Sequence, residues 1–198
     1  MPKTYDRDYY EQWYHDPARR VITPAAVARK VRLVLGVAEA LLERPVRRVL
    51  DVGCGEGAWR EHLRRERPNL SYTGVESSAY VIERFGRTRD IRAGSFGTLA
   101  DAGLDGPYDV IVVCDVLQYV PDAELGPGLA AIAELLGGVA YLEAYAKEDA
   151  IEGDRAGWHE RSAAQYIAKF AKAGLTGVGM HCYVGEALRD HTAALERR

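Results

Sequence analysis

The sequence predicts one α/β domain built on a mostly parallel sheet, and three observations support this class. Apolar, β-branched stretches typical of buried strands alternate with stretches of helical periodicity. Three alternate glycines, Gly53, Gly55 and Gly57, join the first strand to the helix after it. A second strand ends at Glu76, about 20 residues later, which suits a carboxylate at the tip of the neighbouring parallel strand.

Composition is that of an ordinary globular chain. The 198 residues are enough for one domain, with 47% hydrophobic and 28% charged residues. The net charge of −3 gives no electrostatic basis for nucleic-acid binding. Apolar runs are too short to span a membrane, and residues 1–8 contain acids where a secretory signal would be apolar. We therefore expect a cytoplasmic protein that binds neither nucleic acid nor membrane.

The cysteines predict no metal site. Cys54, Cys114 and Cys182 lie far apart, without a C-x-x-C motif or a Cys/His cluster. Free thiols in a reducing cytoplasm are the expected state. No other metal-ligand spacing is visible, so we expect no metal cofactor.

The elements begin with an aromatic segment, residues 5–15. Its rings Tyr9, Tyr10, Trp13 and Tyr14 fall on one face of a short helix. Thr23–Pro24 then starts a second helix, which apolar spacing extends to about Arg44. The chain therefore divides into residues 1–44, the amino-terminal helices, and residues 45–198, the core of the same domain.

The glycine turn is the centre of the first half of the core. In an open α/β sheet, ligands bind in the crevice at the carboxyl ends of the strands, and glycine lets the backbone approach them closely. The predicted elements here are strand 47–52, helix 57–67, strand 71–75, helix 78–86 and strand 91–93.

The second half of the core continues the alternation. The apolar strand Tyr108–Cys114 is central, and the segment after it faces the crevice. In the next strand Glu143 is either a crevice residue or a paired core acid. The predicted elements are strand 108–114, helix 122–136 ended by Gly137–Gly138, strand 139–145, a helix from Ser162 to Gly174, and one long strand 175–184. Residues 192–197 are either a further antiparallel strand or helical.

Three motifs in this order resemble a known family. Asp51-x-Gly53-x-Gly55-x-Gly57, then Glu76, then the stretch 109–122 look like a class I S-adenosylmethionine-dependent methyltransferase of the small-molecule type. The resemblance covers roughly residues 45–185. It implies a Rossmann-like, doubly wound, mostly parallel seven-stranded sheet with amino-terminal lid helices, and S-adenosyl-L-methionine as cofactor.

The resemblance also implies roles for residues at the crevice. The glycine loop passes beside the methionine part, Asp51 reaches its amino group, and Glu76 holds the ribose. Ser95 stands where the family commonly has an acid that binds adenine, and the Phe96 amide is an alternative contact. The implied cofactor set is Asp51, Gly53, Cys54, Gly55, Gly57, Glu76, Ser77, Ser95, Phe96, Asp115 and Leu117.

Substrate and catalytic residues are the remaining candidates. The aromatic segment either packs on the surface or, as in family members with amino-terminal lids, covers cofactor and substrate. Tyr119 lies where relatives often carry histidine, and the alternative for it is helix packing. His159 is a candidate general base because imidazole titrates near neutrality, the alternative being a lone surface histidine. The substrate and lid candidates are Tyr9, Tyr10, Trp13, Tyr14 and Tyr145.

The predicted activity is methyl transfer by in-line displacement. We expect an oxygen or nitrogen, less readily a carbon, of a small metabolite as acceptor, and a monomer or homodimer. Two alternatives stay open. Gly53, Gly55 and Ala58 also satisfy the G-x-G-x-x-A pattern of an NAD-dependent oxidoreductase. A non-catalytic, cofactor-binding regulatory subunit would show the same motifs.

Overall fold

A computed structural model describes residues 4–20, 22–150 and 155–197. Within them, seven strands form one sheet, and helices cover both of its faces. The strands are β1 Arg48–Val52, β2 Ser71–Glu76, β3 Ile91–Ala93, β4 Tyr108–Cys114, β5 Leu136–Glu143, β6 Thr176–Gly179 and β7 Cys182–Val184. The helices are α1 Arg7–Tyr10, α2 Pro24–Leu42, α3 Ala58–Glu66, α4 Ala79–Arg89, α5 Asp122–Leu135, α6 Ala163–Lys172 and α7 Glu186–Arg189; a π-helix, Glu11–His15, follows α1 directly.

The strand order of the sheet is β3-β2-β1-β4-β5-β7-β6. Strands β1 to β5 pair in parallel, whereas β7 runs antiparallel to β5 and β6 antiparallel to β7. The chain reverses its direction of travel across the sheet between β1 and β4, which opens a crevice at their carboxyl ends. The predicted doubly wound, mostly parallel seven-stranded fold is therefore confirmed.

Two apolar cores hold the layers together. On one face, Val31 of α2 and Trp59 of α3 pack with the strands. On the other, Leu125 of α5 and Phe170 of α6 do so. Strand β4 contributes to both cores because its successive side chains point to opposite faces. Its burial on both faces explains its unbroken apolar sequence.

The prediction that Gly137–Gly138 ends a helix is wrong. Both glycines lie in β5, which begins directly after α5. A Cβ atom on Gly138 would stand 2.0 Å from the carbonyl oxygen of Asp109, so β4 and β5 approach too closely here for a larger residue. The glycine pair therefore allows β4 and β5 to approach closely, and it does not end a helix.

The prediction of one long strand over 175–184 is also wrong, because a tight turn splits it into the hairpin β6–β7. Met180 and His181 occupy the turn with φ of 50° and 62°. The predicted antiparallel seventh strand is therefore present, but it comes from this hairpin. Residues 192–197 contain no strand.

Across the described part of the chain, no helix has the length and apolar character needed to cross a membrane.

Candidate active site

Two neighbouring cavities lie at the carboxyl ends of the parallel strands. The first has a volume of about 190 Å³ and the second about 90 Å³. Tyr14, Gly53, Cys114 and Asp115 line both, so the two cavities meet at the ends of β1 and β4. This is the crevice in which the fold places a ligand.

The glycine turn forms the floor between the cavities. Gly53, Gly55 and Gly57 have φ of 68°, 53° and 81°, a region that glycine adopts without the steric cost of a Cβ atom. The Gly53 amide donates to the carbonyl oxygen of Val75 at 2.8 Å, which ties the turn to β2. The three alternate glycines are thus required by the backbone of the turn itself.

Glu76 ends β2 beside this turn and lines the first cavity. Its carboxylate is 6% exposed and fixed by main-chain donors. Oε2 accepts from the Gly55 amide at 2.9 Å, and Oε1 accepts from the amides of Ser77 at 2.8 Å and Ser78 at 3.0 Å. One acid therefore joins the glycine turn to the start of α4 and presents a fixed negative charge to the cavity.

Asp51, near the end of β1, lines the second cavity. Its side chain is 2% exposed and accepts a hydrogen bond from the Tyr72 hydroxyl at 2.8 Å. Burial raises the pKa of Asp51 to about 7, although the Tyr72 hydrogen bond opposes the shift. A cationic group in this cavity would favour the ionised form of Asp51.

Asp115 lies at the contact between the cavities. It follows β4 with a φ of 61°, a left-handed conformation that is uncommon outside glycine. The amide side chain of Gln118 donates a hydrogen bond to its carboxylate. This strained position turns the carboxylate of Asp115 toward both cavities.

Glu143 at the end of β5 is both paired and part of the crevice, so the two interpretations of this acid hold together. Its Oε1 atom is 2.5 Å from Nζ of Lys30, and the Tyr141 hydroxyl donates to Oε2. Burial alone would raise the pKa of Glu143, but the hydrogen bonds from Lys30 and Tyr141 hold it below its usual range. The carboxylate therefore remains charged beside the second cavity.

Sequence reasoning missed Lys30. It lies on α2, far along the chain from its partner Glu143. The side chain is partly exposed and lines the second cavity. A charged residue on the inner face of an otherwise apolar helix is the signal that could have identified it.

The aromatic segment covers the first cavity. Tyr9, Tyr10 and Tyr14 line it, and the Tyr14 hydroxyl lies 3.0 Å from the position of a Cβ atom on Gly55. Tyr10 is buried and stacks on Tyr80 of α4, with ring centroids 5.6 Å apart. The segment thus docks on α4 and reaches over the glycine turn.

A polar contact also holds the end of this segment. His15 Nε2 lies 3.2 Å from the carboxylate of Glu56, a residue of the glycine turn. The segment is therefore attached to the turn by Tyr14 and by His15.

The structure brings most of the predicted site residues to these cavities. The first is lined by Tyr9, Tyr10, Tyr14, Gly53, Glu76, Ser77, Ser95, Phe96, Asp115 and Tyr119, and the second by Tyr14, Asp51, Gly53, Cys54, Asp115 and Tyr145.

Five predicted residues line neither cavity. Gly55 and Gly57 shape the turn through their backbone, while Leu117 is fully buried in the core. Trp13 lies in the π-helix, beside the rings that reach the cavity. His159 is exposed, and its amide donates to the Gln118 carbonyl oxygen at 2.8 Å.

Comparison with known proteins places this geometry in a family. A family model described as a methyltransferase domain matches residues 24–190. The chain belongs to the methyltransferase domain family. The predictions of a class I methyltransferase, of an enzyme and of S-adenosyl-L-methionine as cofactor are confirmed. The family decides against the oxidoreductase alternative.

Solved structures share the fold. KedS8, a sugar N-methyltransferase from a Streptoalloteichus species, is 21% identical with a TM-score of 0.65, over 94% of this chain and 90% of that one. DesVI from Streptomyces venezuelae is 19% identical with a TM-score of 0.63, over 82% and 91%. CalS10, an amino pentose methyltransferase from Micromonospora echinaspora, is 21% identical with a TM-score of 0.61, over 78% and 86%. No curated protein matches the sequence significantly.

The residues present fit the cofactor. Gly53 lines both cavities without a Cβ atom, and Glu76 presents a fixed carboxylate to the larger cavity. Acids dominate the smaller cavity, where Asp51, Asp115 and Glu143 face one lysine. This excess of negative charge suits a ligand with a sulfonium and an ammonium group.

Proposed function

We propose that this protein transfers a methyl group from S-adenosyl-L-methionine to an oxygen or nitrogen of a small metabolite. The observation that carries the proposal is the pair of small cavities at the glycine turn, capped by aromatic rings. A chamber of this size admits a small molecule and excludes a folded macromolecule. Relatives in structure named as sugar and amino pentose methyltransferases support this acceptor class.

The donor-binding roles follow from the positions of the polar groups. Glu76 would hold the ribose in the first cavity, with Ser95 and Phe96 near the adenine. Asp51 and Lys30 would face the amino and carboxylate groups of the methionine part in the second. We give Leu117 a supporting role, because it is buried behind the cavity wall.

The bound donor supplies a methyl group already activated on a sulfonium. The residues of this chain then need to align donor and acceptor and to exclude water, and such alignment can contribute about 7–11 kcal/mol. Tyr119 lines the first cavity, and we propose that it contacts the substrate. The exposed position of His159 gives no geometric support for a general base there.

Within the predicted amino-terminal region 1–44, we propose that the aromatic segment is a lid over the first cavity, whereas α2 packs on the sheet as part of the core. Removing residues 1–20 should leave most of the donor affinity and abolish turnover, because water then enters the site. Protease cleavage in the segment should slow when S-adenosylhomocysteine is added. Equal cleavage rates together with full activity of the truncated chain would contradict the lid.

The test of function uses two measurements. Calorimetric titration should show binding of S-adenosylhomocysteine and no binding of NAD. A donor-dependent screen of small-molecule pools by mass spectrometry should then show a mass gain of one methyl group. Binding of NAD alone would refute the proposal.

We also propose a cytoplasmic monomer or homodimer that does not bind nucleic acid, in keeping with the net charge of −3.

A further inference from the structure

A third opening lies beside the second cavity. It is a cleft of about 420 Å³, called here the outer cleft, and its polar lining residues are Lys30, Glu143, Tyr145, Asp149 and His181. Lys30, Glu143 and Tyr145 line the second cavity as well. The Lys30–Glu143 pair thus lies where the outer cleft and the second cavity meet.

His181 reaches the outer cleft from a strained turn. Met180 and His181 are consecutive left-handed residues with φ of 50° and 62°, where a two-residue hairpin normally uses Asn-Gly. The His181 ring stands edge-on to Tyr141 with centroids 5.8 Å apart, and its carbonyl oxygen accepts from the Leu142 amide at 2.9 Å. Strained positions of this kind cluster at functional sites. An Asn-Gly turn would build the same hairpin without strain, but it would leave no imidazole in the cleft.

The charges of the outer cleft favour a cation. The charge of Lys30 is matched by Glu143 at 2.5 Å. Asp149 then adds a carboxylate, held in place by the Ala146 amide at 2.8 Å. Imidazole is among the side chains that accept a hydrogen bond from an ammonium group, and the face of the Tyr145 ring opposite Trp158 adds an aromatic surface of the kind that binds cations. Among the described residues, the lining therefore suits a protonated amine better than an anion.

We propose that the outer cleft binds the methyl acceptor and selects an amine, with Asp149 and His181 as its contacts. This inference rests on the proposed function, since the acceptor must lie beside the donor. The amine arrives as ammonium and must lose one proton before its lone pair can attack. The cleft is open to solvent at the exposed His181, so this proton leaves to water.

The first test is a matched pair of probes, benzylamine and benzyl alcohol, added at millimolar concentration to protein saturated with S-adenosylhomocysteine. Benzylamine should shift the ring signals of His181 in an NMR spectrum of histidine-labelled protein, and benzyl alcohol should not. An equal effect of both probes, or no effect of either, overturns the inference. Failure of the protein to bind S-adenosylhomocysteine would instead refute the proposed function.

The second test separates binding from turn strain. Met180→Asn and His181→Asn both suit a left-handed position, so both should raise the melting temperature. Only His181→Asn should weaken benzylamine binding, at least fivefold in ligand-observed NMR, while S-adenosylhomocysteine affinity stays unchanged in both variants. Equal benzylamine affinity in the two variants would show that the strained histidine has no role in the cleft.

Discussion

The two ends of the crevice are built in different ways. At the end of β2, Glu76 is fixed by three main-chain amides, one in the glycine turn and two just before α4. At the end of β5, Glu143 is fixed by side chains, Tyr141 from its own strand and Lys30 from distant α2. The first end is a property of the backbone, whereas the second depends on individual side chains.

This difference determines how easily substitutions can alter each end of the crevice. Backbone donors are present whatever the side chains are, so the position of the Glu76 carboxylate depends little on substitutions in other elements. The Glu143 end can be altered by one substitution on another element. We therefore expect the Glu76 end to carry the binding of a common donor, and the Glu143 end to carry properties particular to this chain.

The largest effect should come from Gly55→Val. The φ of 53° at Gly55 is costly for a β-branched residue, and the new side chain would meet Tyr14 above the turn. Affinity for S-adenosylhomocysteine should fall at least about 100-fold in calorimetry, equivalent to about 2.7 kcal/mol.

Gly174→Val is the matched control. Gly174 also has a positive φ, 79°, and a Cβ atom there would meet nothing within 4 Å. Both variants should lose thermal stability through the positive φ, while only Gly55→Val loses the donor. Normal donor affinity of Gly55→Val would remove the glycine turn from the site.

The same contrast explains what the sequence could and could not predict. The glycine turn, Glu76 and the alternation of strands and helices are local patterns, and the structure contains them nearly as predicted. Lys30 was missed because its partner lies in β5, and pairings across the fold leave no local trace. Gly137–Gly138 was misassigned because the reason for the glycines is the neighbouring strand. The hairpin turn at Met180 was missed because it lacks the usual turn residues.

Glu76→Ala should have the next largest effect. The variant removes the acceptor of the Gly55, Ser77 and Ser78 amides along with the proposed ribose contact. Hydrogen bonds to a charged group are worth about 1.5–3 kcal/mol, so donor affinity should fall about 10- to 100-fold in calorimetry. Glu83→Ala, at an exposed acid of α4, is the control and should bind normally. Unchanged affinity in Glu76→Ala would show that the β2 end does not bind the donor.

Lys30→Met tests the end of the crevice at Glu143, where the carboxylate is held by side chains. The substitution keeps the aliphatic bulk and leaves the buried Glu143 carboxylate without its cation. An unpaired buried group costs about 1–3 kcal/mol, and the lower half of that range is expected because Lys30 is partly exposed. Urea denaturation should show this loss, and the double variant with Glu143→Gln should recover most of it. Additive losses in the double variant would mean that the two side chains do not depend on each other.

The smallest effect concerns Asp51, whose carboxylate lies between the two ends and is bonded by a side chain, Tyr72. Burial raises its pKa to about 7, above the value of about 3.9 for an unfolded chain. The folded state therefore binds the proton more tightly, so stability falls as pH rises from about 4 towards 7. Between pH 6 and pH 7.5 this loss amounts to about 1 kcal/mol. The Asp51→Asn variant cannot titrate at this position, so its stability should not show this loss. The unfolding free energy of the variant minus that of the parent should therefore rise with pH across that window. Parallel stability curves for the two proteins would show that Asp51 is already ionised in the folded state.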